Sequence, residues 1–190
     1  MAIPLRKPNE IEKLRIANIA VAKTLNFLKV NVKAGMTLKE VDAMGEKFLR
    51  DLGARPSFKG LYGFPAAICT SLNEVIIHGI PTDVVLKEGD ILGIDIGSEI
   101  DGWYGDSAIT MPIGKISKED EALIACAKDS LYYAIDVIKE GMRFKELSKL
   151  IEDFITSRGY QPLVRFCGHG IGKKPHEEPE IPNYLENGNA

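Results

Sequence analysis

Apolar residues recur at helical spacing in four stretches of the chain and alternate at strand spacing in several others. The first helix is expected to start near Asn9, with Glu12 three residues on completing a capping box. A second follows Gly35-Met36 and stops at Gly53, a residue suited to a left-handed C-cap, with Pro56 just beyond to block continuation. A third starts near Ser117, with Asp120 in the place that Glu12 holds in the first. The fourth follows Gly141-Met142 and stops at Gly159, with Pro162 after it. Strand-like segments are expected around Ala67–Thr70, Val75–His78, Ile91–Ile100 and Trp103–Met111, and again near Leu163–Cys167.

Two of these helices are copies of one another. Residues 35–58, GMTLKEVDAMGEKFLRDLGARPSF, align without gaps to residues 141–164, GMRFKELSKLIEDFITSRGYQPLV, at an offset of 106. Eight of the 24 positions are identical, where ordinary residue frequencies would give roughly one or two. The chain therefore reads as one α+β domain of two pseudo-symmetric halves, 1–114 and 115–190, each ordered helix, helix, strands. Shifting the end of the first-half strands, near Gly114, by the same offset gives a position near 220. The second half is thus expected to be short of a strand pair, unless it is a naturally abbreviated copy.

Composition adds exclusions. At 190 residues, with 45% apolar and 27% charged residues and a net charge of −3, the chain fits a single globular domain. It has no basic stripe for nucleic acid, no charge block, and no apolar run near the length of a membrane span. The opening MAIPLRKPNEIEKLR is broken by charge and proline and does not read as a signal peptide. Cys69, Cys126 and Cys167 lack metal-ligand spacing, read as packing residues, and suit the reduced thiols of a cytosol.

The candidate chemistry lies in ILGIDIGSEIDGWYGDSAITM, which reads as a hairpin turning at Asp101-Gly102. If Ile100 pairs with Trp103, Asp95 stands opposite Ala108 and Asp106 opposite Gly97. The two aspartates then share a face as diagonal neighbours on paired strands, with their backbones about 7–8 Å apart. Facing carboxylates in an apolar strand pair repel unless a shared divalent cation joins them; the alternative is a solvated strand face. The chain has only three histidines, and each ends an apolar run or sits in a glycine-proline loop: His78 in EVIIHGIP, His169 in FCGHGIG and His176 in KKPHEEP. That distribution suits a shared site, since neutral imidazole is a common metal ligand.

The stretch FCGHGIGKKPHEEPEIPNY, residues 166–184, resembles the signature of type I methionine aminopeptidases of the bacterial kind. NEVIIHGIP, the pair of aspartates and the string YGFP at Tyr62–Pro65 are similar to the same family at the same chain positions. The resemblance implies the pita-bread fold, with two pseudo-symmetric halves around a site for two divalent ions (Co, Mn, Fe or Zn). It implies Asp95, Asp106 and His169 as ligands, with Asp106 bridging. His78 would contact substrate near the scissile nitrogen, and His176 would stabilise the carbonyl oxyanion. Leu61, Tyr62, Phe64 and Cys69 would line the methionine pocket. The implied activity is removal of initiator methionine from nascent polypeptides, at the ribosome, by a cytoplasmic monomer that binds neither membrane nor nucleic acid directly. The sequence departs from the family where Phe64 replaces a common tyrosine and Pro175 stands in place of a frequent aromatic. The family's two glutamate ligands fall beyond residue 190, and Glu177 and Glu178 do not replace them, so the chain as given is expected to be inactive. A binding module on the same fold, or a prolidase or aminopeptidase P, are the rival expectations.

Overall fold

The computed structural model describes residues 3–185. The chain divides into two compact units, one built from Pro4–Ser117 with Ile171–His176, the other from Lys118–Gly170 with the segment from Glu177 onward.

In the first unit, helices α1 (Pro8–Asn31) and α2 (Leu38–Asp51) cover one face of an antiparallel sheet. Its strands are β1 (Arg55–Pro56), β2 (Ile68–Leu72), β3 (Ile91–Ile100) and β4 (Trp103–Pro112). β3 is the central strand, paired to β1 and β2 on one side and to β4 on the other. Alternation along β3 sends Leu92, Ile94 and Ile96 into the core, where they join Val21, Leu25 and Leu28 of α1 and Val41 and Leu49 of α2. Burying each such side chain contributes roughly 1.5–3 kcal/mol. Phe27 stacks on Phe48 at 4.1 Å and ties the two helices together. Helix α1 lies flush on β4 at Gly105, where a Cβ would come within 2.7 Å of the Ala17 carbonyl carbon. Ser98 donates its hydroxyl to the Ala17 carbonyl at the same crossing.

The second unit holds α3 (Lys118–Val137), α4 (Phe144–Thr156) and a short antiparallel pair, β5 (Gly168–Gly170) with β6 (Glu177–Ile181). Helix α4 begins 106 residues after α2, the repeat offset. The glycines that bracket the two copies share left-handed φ values, +92° at Gly35 and +82° at Gly141, +79° at Gly53 and +83° at Gly159.

Three sequence expectations need correction. Helix α1 starts at Pro8, and it is Glu10 whose carboxylate accepts the Lys7 backbone N–H; Glu12 instead pairs with Arg15. Val75–His78 is a loop, because Asn73 and His78 adopt left-handed φ of 49° and 57° and bend the chain out of the sheet. Leu163–Cys167 is also irregular; pairing starts only at Gly168.

Candidate functional site

Two positive φ values at the turn, 51° at Asp101 and 76° at Gly102, join β3 to β4 and set Ile100 opposite Trp103. Asp95 consequently pairs with Ala108 and Asp106 with Gly97, the register read from the sequence. Both carboxylates project from the face opposite the core. Burial pushes the Asp106 carboxyl up to about 6, and a hydrogen bond with Asp95 acts in the other direction. Two facing half-buried acids are coupled, so their titration belongs to the pair and not to either residue alone. A divalent cation fits that donor set, since it would relieve the repulsion between the two carboxylates and satisfy both charges.

The neighbours of the pair are specified by the sheet. Cys69 on β2 is the direct partner of Asp95. Burial first, then the charges of Asp95, Asp106 and Asp42, push its thiol up to about 12, so it stays protonated and acts as an apolar wall. Gly97 lets Ser57 and Phe58 lie against the same face, since a Cβ there would fall 2.1 Å from the Ser57 hydroxyl oxygen. The N–H of Asp106 donates to Asn18 Oδ1 of α1 at 3.3 Å, which fixes the strand beside the carboxylate.

His78 holds its left-handed conformation because the next residue is anchored. The Thr70 N–H donates to the Gly79 carbonyl at 2.8 Å, and the Gly79 N–H donates to the Ser71 hydroxyl at 3.2 Å. A Cβ on Gly79 would fall 2.2 Å from the Thr70 carbonyl oxygen, so only glycine fits. His176 belongs to the segment Ile171–His176, which is tied to this unit by the Tyr104 N–H donating to the Gly172 carbonyl at 2.9 Å. Its ring stacks on Tyr62 at 6.1 Å. Leu61 and Phe64 flank Tyr62 on a short 3-10 turn, Leu61–Gly63, entered through left-handed Gly60.

His169 lies on β5, in the other unit. Its Nδ1 is 2.9 Å from the Gly170 carbonyl oxygen; a carbonyl only accepts, so Nδ1 carries the N–H that donates. The glycines around it are explained by β6: a Cβ on Gly170 would come within 2.3 Å of the Glu178 carbonyl oxygen. Among the described residues, no group of three or more His, Cys, Asp and Glu side chains gathers as a cation site.

Sequence reasoning missed Asn18, Asp42 and Ser71. Asp42 alone left a signal, as an acid beside the buried stripe Leu38, Val41, Gly45 and Leu49.

The profile of metallopeptidase family M24 matches residues 12–190. A methionine aminopeptidase of Helicobacter pylori is 61% identical over 188 residues, covering 99% of this chain and 74% of that protein. The crystal structure of a methionine aminopeptidase from Thermotoga maritima superposes with a TM-score of 0.95 at 35% identity, covering 99% of this chain and 76% of that one. An X-Pro aminopeptidase structure from the same organism gives 0.79 at 26% identity, covering 94% of this chain and 49% of that one. The fold is the pita-bread fold that these peptidases share. With identity this high over nearly all of its length, the chain belongs to metallopeptidase family M24, among the bacterial type I methionine aminopeptidases.

Proposed function

We propose that this chain forms the main part of a metal-dependent aminopeptidase that removes the initiator methionine from nascent polypeptides in the cytoplasm. The observation that carries this reading is the half-buried Asp95–Asp106 pair, set on one sheet face beside Cys69 by the hairpin register. The domain comprises two halves, 1–114 and 115–190.

Asp95 and Asp106 are the proposed ligands, with Asp106 bridging; His169 joins them on the strength of its motif and its Nδ1-protonated ring. Two divalent ions (Co, Mn, Fe or Zn) held by a complete set would supply Lewis acidity and lower the pKa of a water to about 7. The chain's own residues do the rest. His176, stacked on Tyr62, donates an N–H to the carbonyl oxygen as charge develops there, an interaction typically worth about 10²–10³ in rate. His78, held in one backbone conformation by Gly79, hydrogen-bonds the scissile nitrogen as the amine departs. Leu61, Tyr62, Phe64 and Cys69 exclude water around the methionine side chain. Substrates are peptides and new chains with N-terminal methionine, met at the ribosome; the enzyme works as a monomer.

A peptide panel tests the assignment. With a divalent ion supplied, a chain extended to the length of its relatives should release methionine from Met-Ala-Ser and Met-Gly peptides and leave Gly-Pro peptides intact. Cleavage of Gly-Pro alone would favour an X-Pro peptidase, and cleavage of none a binding module. Asp106→Asn should abolish turnover and lower metal content while the far-ultraviolet dichroism stays unchanged. A variant that keeps its metal and its rate would remove Asp106 from the ligand set.

A further inference from the structure

We infer that Asp42 of α2, assisted by Glu46, clamps the two ends of segment 59–68 and so sets the side-chain preference of the site. This rests on the methionine-pocket reading above and adds the device that shapes the pocket. Asp42 and Glu46 are four residues apart and therefore project one helical turn apart on the same side of α2. Asp42 Oδ1 accepts the Ala67 N–H at 2.9 Å and the Ile68 N–H at 3.0 Å. Glu46 Oε2 accepts from Lys59 Nζ at 2.8 Å, and its other oxygen from Arg50. Between these anchors the chain closes on itself, with the Gly60 N–H donating to the Phe64 carbonyl at 2.8 Å.

Three of the four proposed pocket residues lie between the anchors. Leu61, Tyr62 and Phe64 lie on the closed turn, and Cys69 follows Ile68 directly into its place opposite Asp95. Tyr62 carries a left-handed φ of 50°, a conformation that persists only where its surroundings impose it. A turn with few apolar contacts of its own drifts when its ends are released. The two anchors differ in strength. The Asp42 bonds are half-buried and act on backbone, whereas Lys59 is 48% exposed and its ion pair is weak. Asp42 is therefore the main positioning residue and Glu46 the lesser one.

Both Asp42 bonds converge on a single oxygen, so the amide oxygen of asparagine can take them over and alanine cannot. The test compares kcat and KM for Met-Ala-Ser and Leu-Ala-Ser in a chain extended to the length of its relatives and in its Asp42→Ala, Asp42→Asn and Asp42→Glu variants. Asp42→Ala should raise KM for the methionine peptide and cut the Met-over-Leu preference by about tenfold, the scale of discrimination an apolar pocket supplies. Asp42→Asn should restore both. Asp42→Glu keeps the charge but displaces the acceptor, so its preference should shift in a chain that folds normally even if the alanine variant does not. A merely structural role would lower kcat for both peptides alike and leave KM and the preference at wild-type values; that outcome overturns the clamp. So would an Asp42→Asn variant as impaired as Asp42→Ala. An extended wild-type chain with no methionine preference would instead sink the functional reading.

Discussion

Asp42 and Asp106 are both carboxylates drawn out of water, and their partners separate their roles. Asp106 faces another acid, so burial leaves a pair suited to a cation. Asp42 faces two backbone N–H groups, which stabilise its charge, yet desolvation outweighs them and its pKa is raised. A raised pKa means that the folded state holds the proton more tightly than the unfolded chain. That contribution to stability is present below the unfolded value and is lost as pH rises through the folded one. Asparagine keeps the acceptor without the charge. Asp42→Asn should therefore be at least as stable as wild type in urea at pH 7, with its advantage shrinking toward pH 4 and below. An asparagine variant clearly less stable at neutral pH would show that the charge itself holds the strand. Asp95 and Asp106 were legible from the sequence because a two-residue period and an Asp-Gly turn settle which residues share a face. Asn18 was not, because its partner N–H lies 88 residues away and no local pattern links the two.

Elements were legible where two signals agreed and illegible where one stood alone. The β3–β4 hairpin had alternation and a turn; α2 and α4 had periodicity, glycine stops and each other. Val75–His78 had only an apolar run, and Ile76 ends up 73% exposed in a loop. Leu163–Cys167 failed in the same way, with Val164 at 64%. An apolar run specifies neither a partner nor a register, and left-handed residues such as Asn73 and His78 can bend it away from the sheet. Close packing of whole elements was also hidden. At Gly105 the new Cβ of an alanine would meet the backbone of α1, at Ala17 and Asn18, rather than a side chain able to turn aside. Gly105→Ala should force α1 off β4 and cost about 1–3 kcal/mol, as overpacking does. Urea unfolding measures it, and an unchanged midpoint would mean that the helix has slack to move. Because Asn18 also holds the Asp106 N–H, the same substitution should weaken metal binding.

At the scale of the whole molecule, the chain spans about three quarters of the length of relatives such as the Helicobacter pylori enzyme. Within residues 1–190 the hairpin register brings two carboxylates together, Asp95 and Asp106. Two carboxylates can hold a divalent ion loosely, with water filling its other positions. Two adjacent ions need more anionic charge than one such pair supplies, since each added cation repels the first. The 190-residue polypeptide should therefore bind metal weakly and release no methionine, whereas a chain extended to the length of its relatives should do both. Calorimetric titration with Mn(II) and hydrolysis of Met-Ala-Ser, run on the two polypeptides side by side, measure this. Titration separates the causes: weak binding with no turnover points to missing ligands, while tight binding of two ions with no turnover points to a missing general base. Equal activity in both polypeptides would mean that the donors within 1–190 suffice, and the ligand assignment would have to be rebuilt from those residues alone.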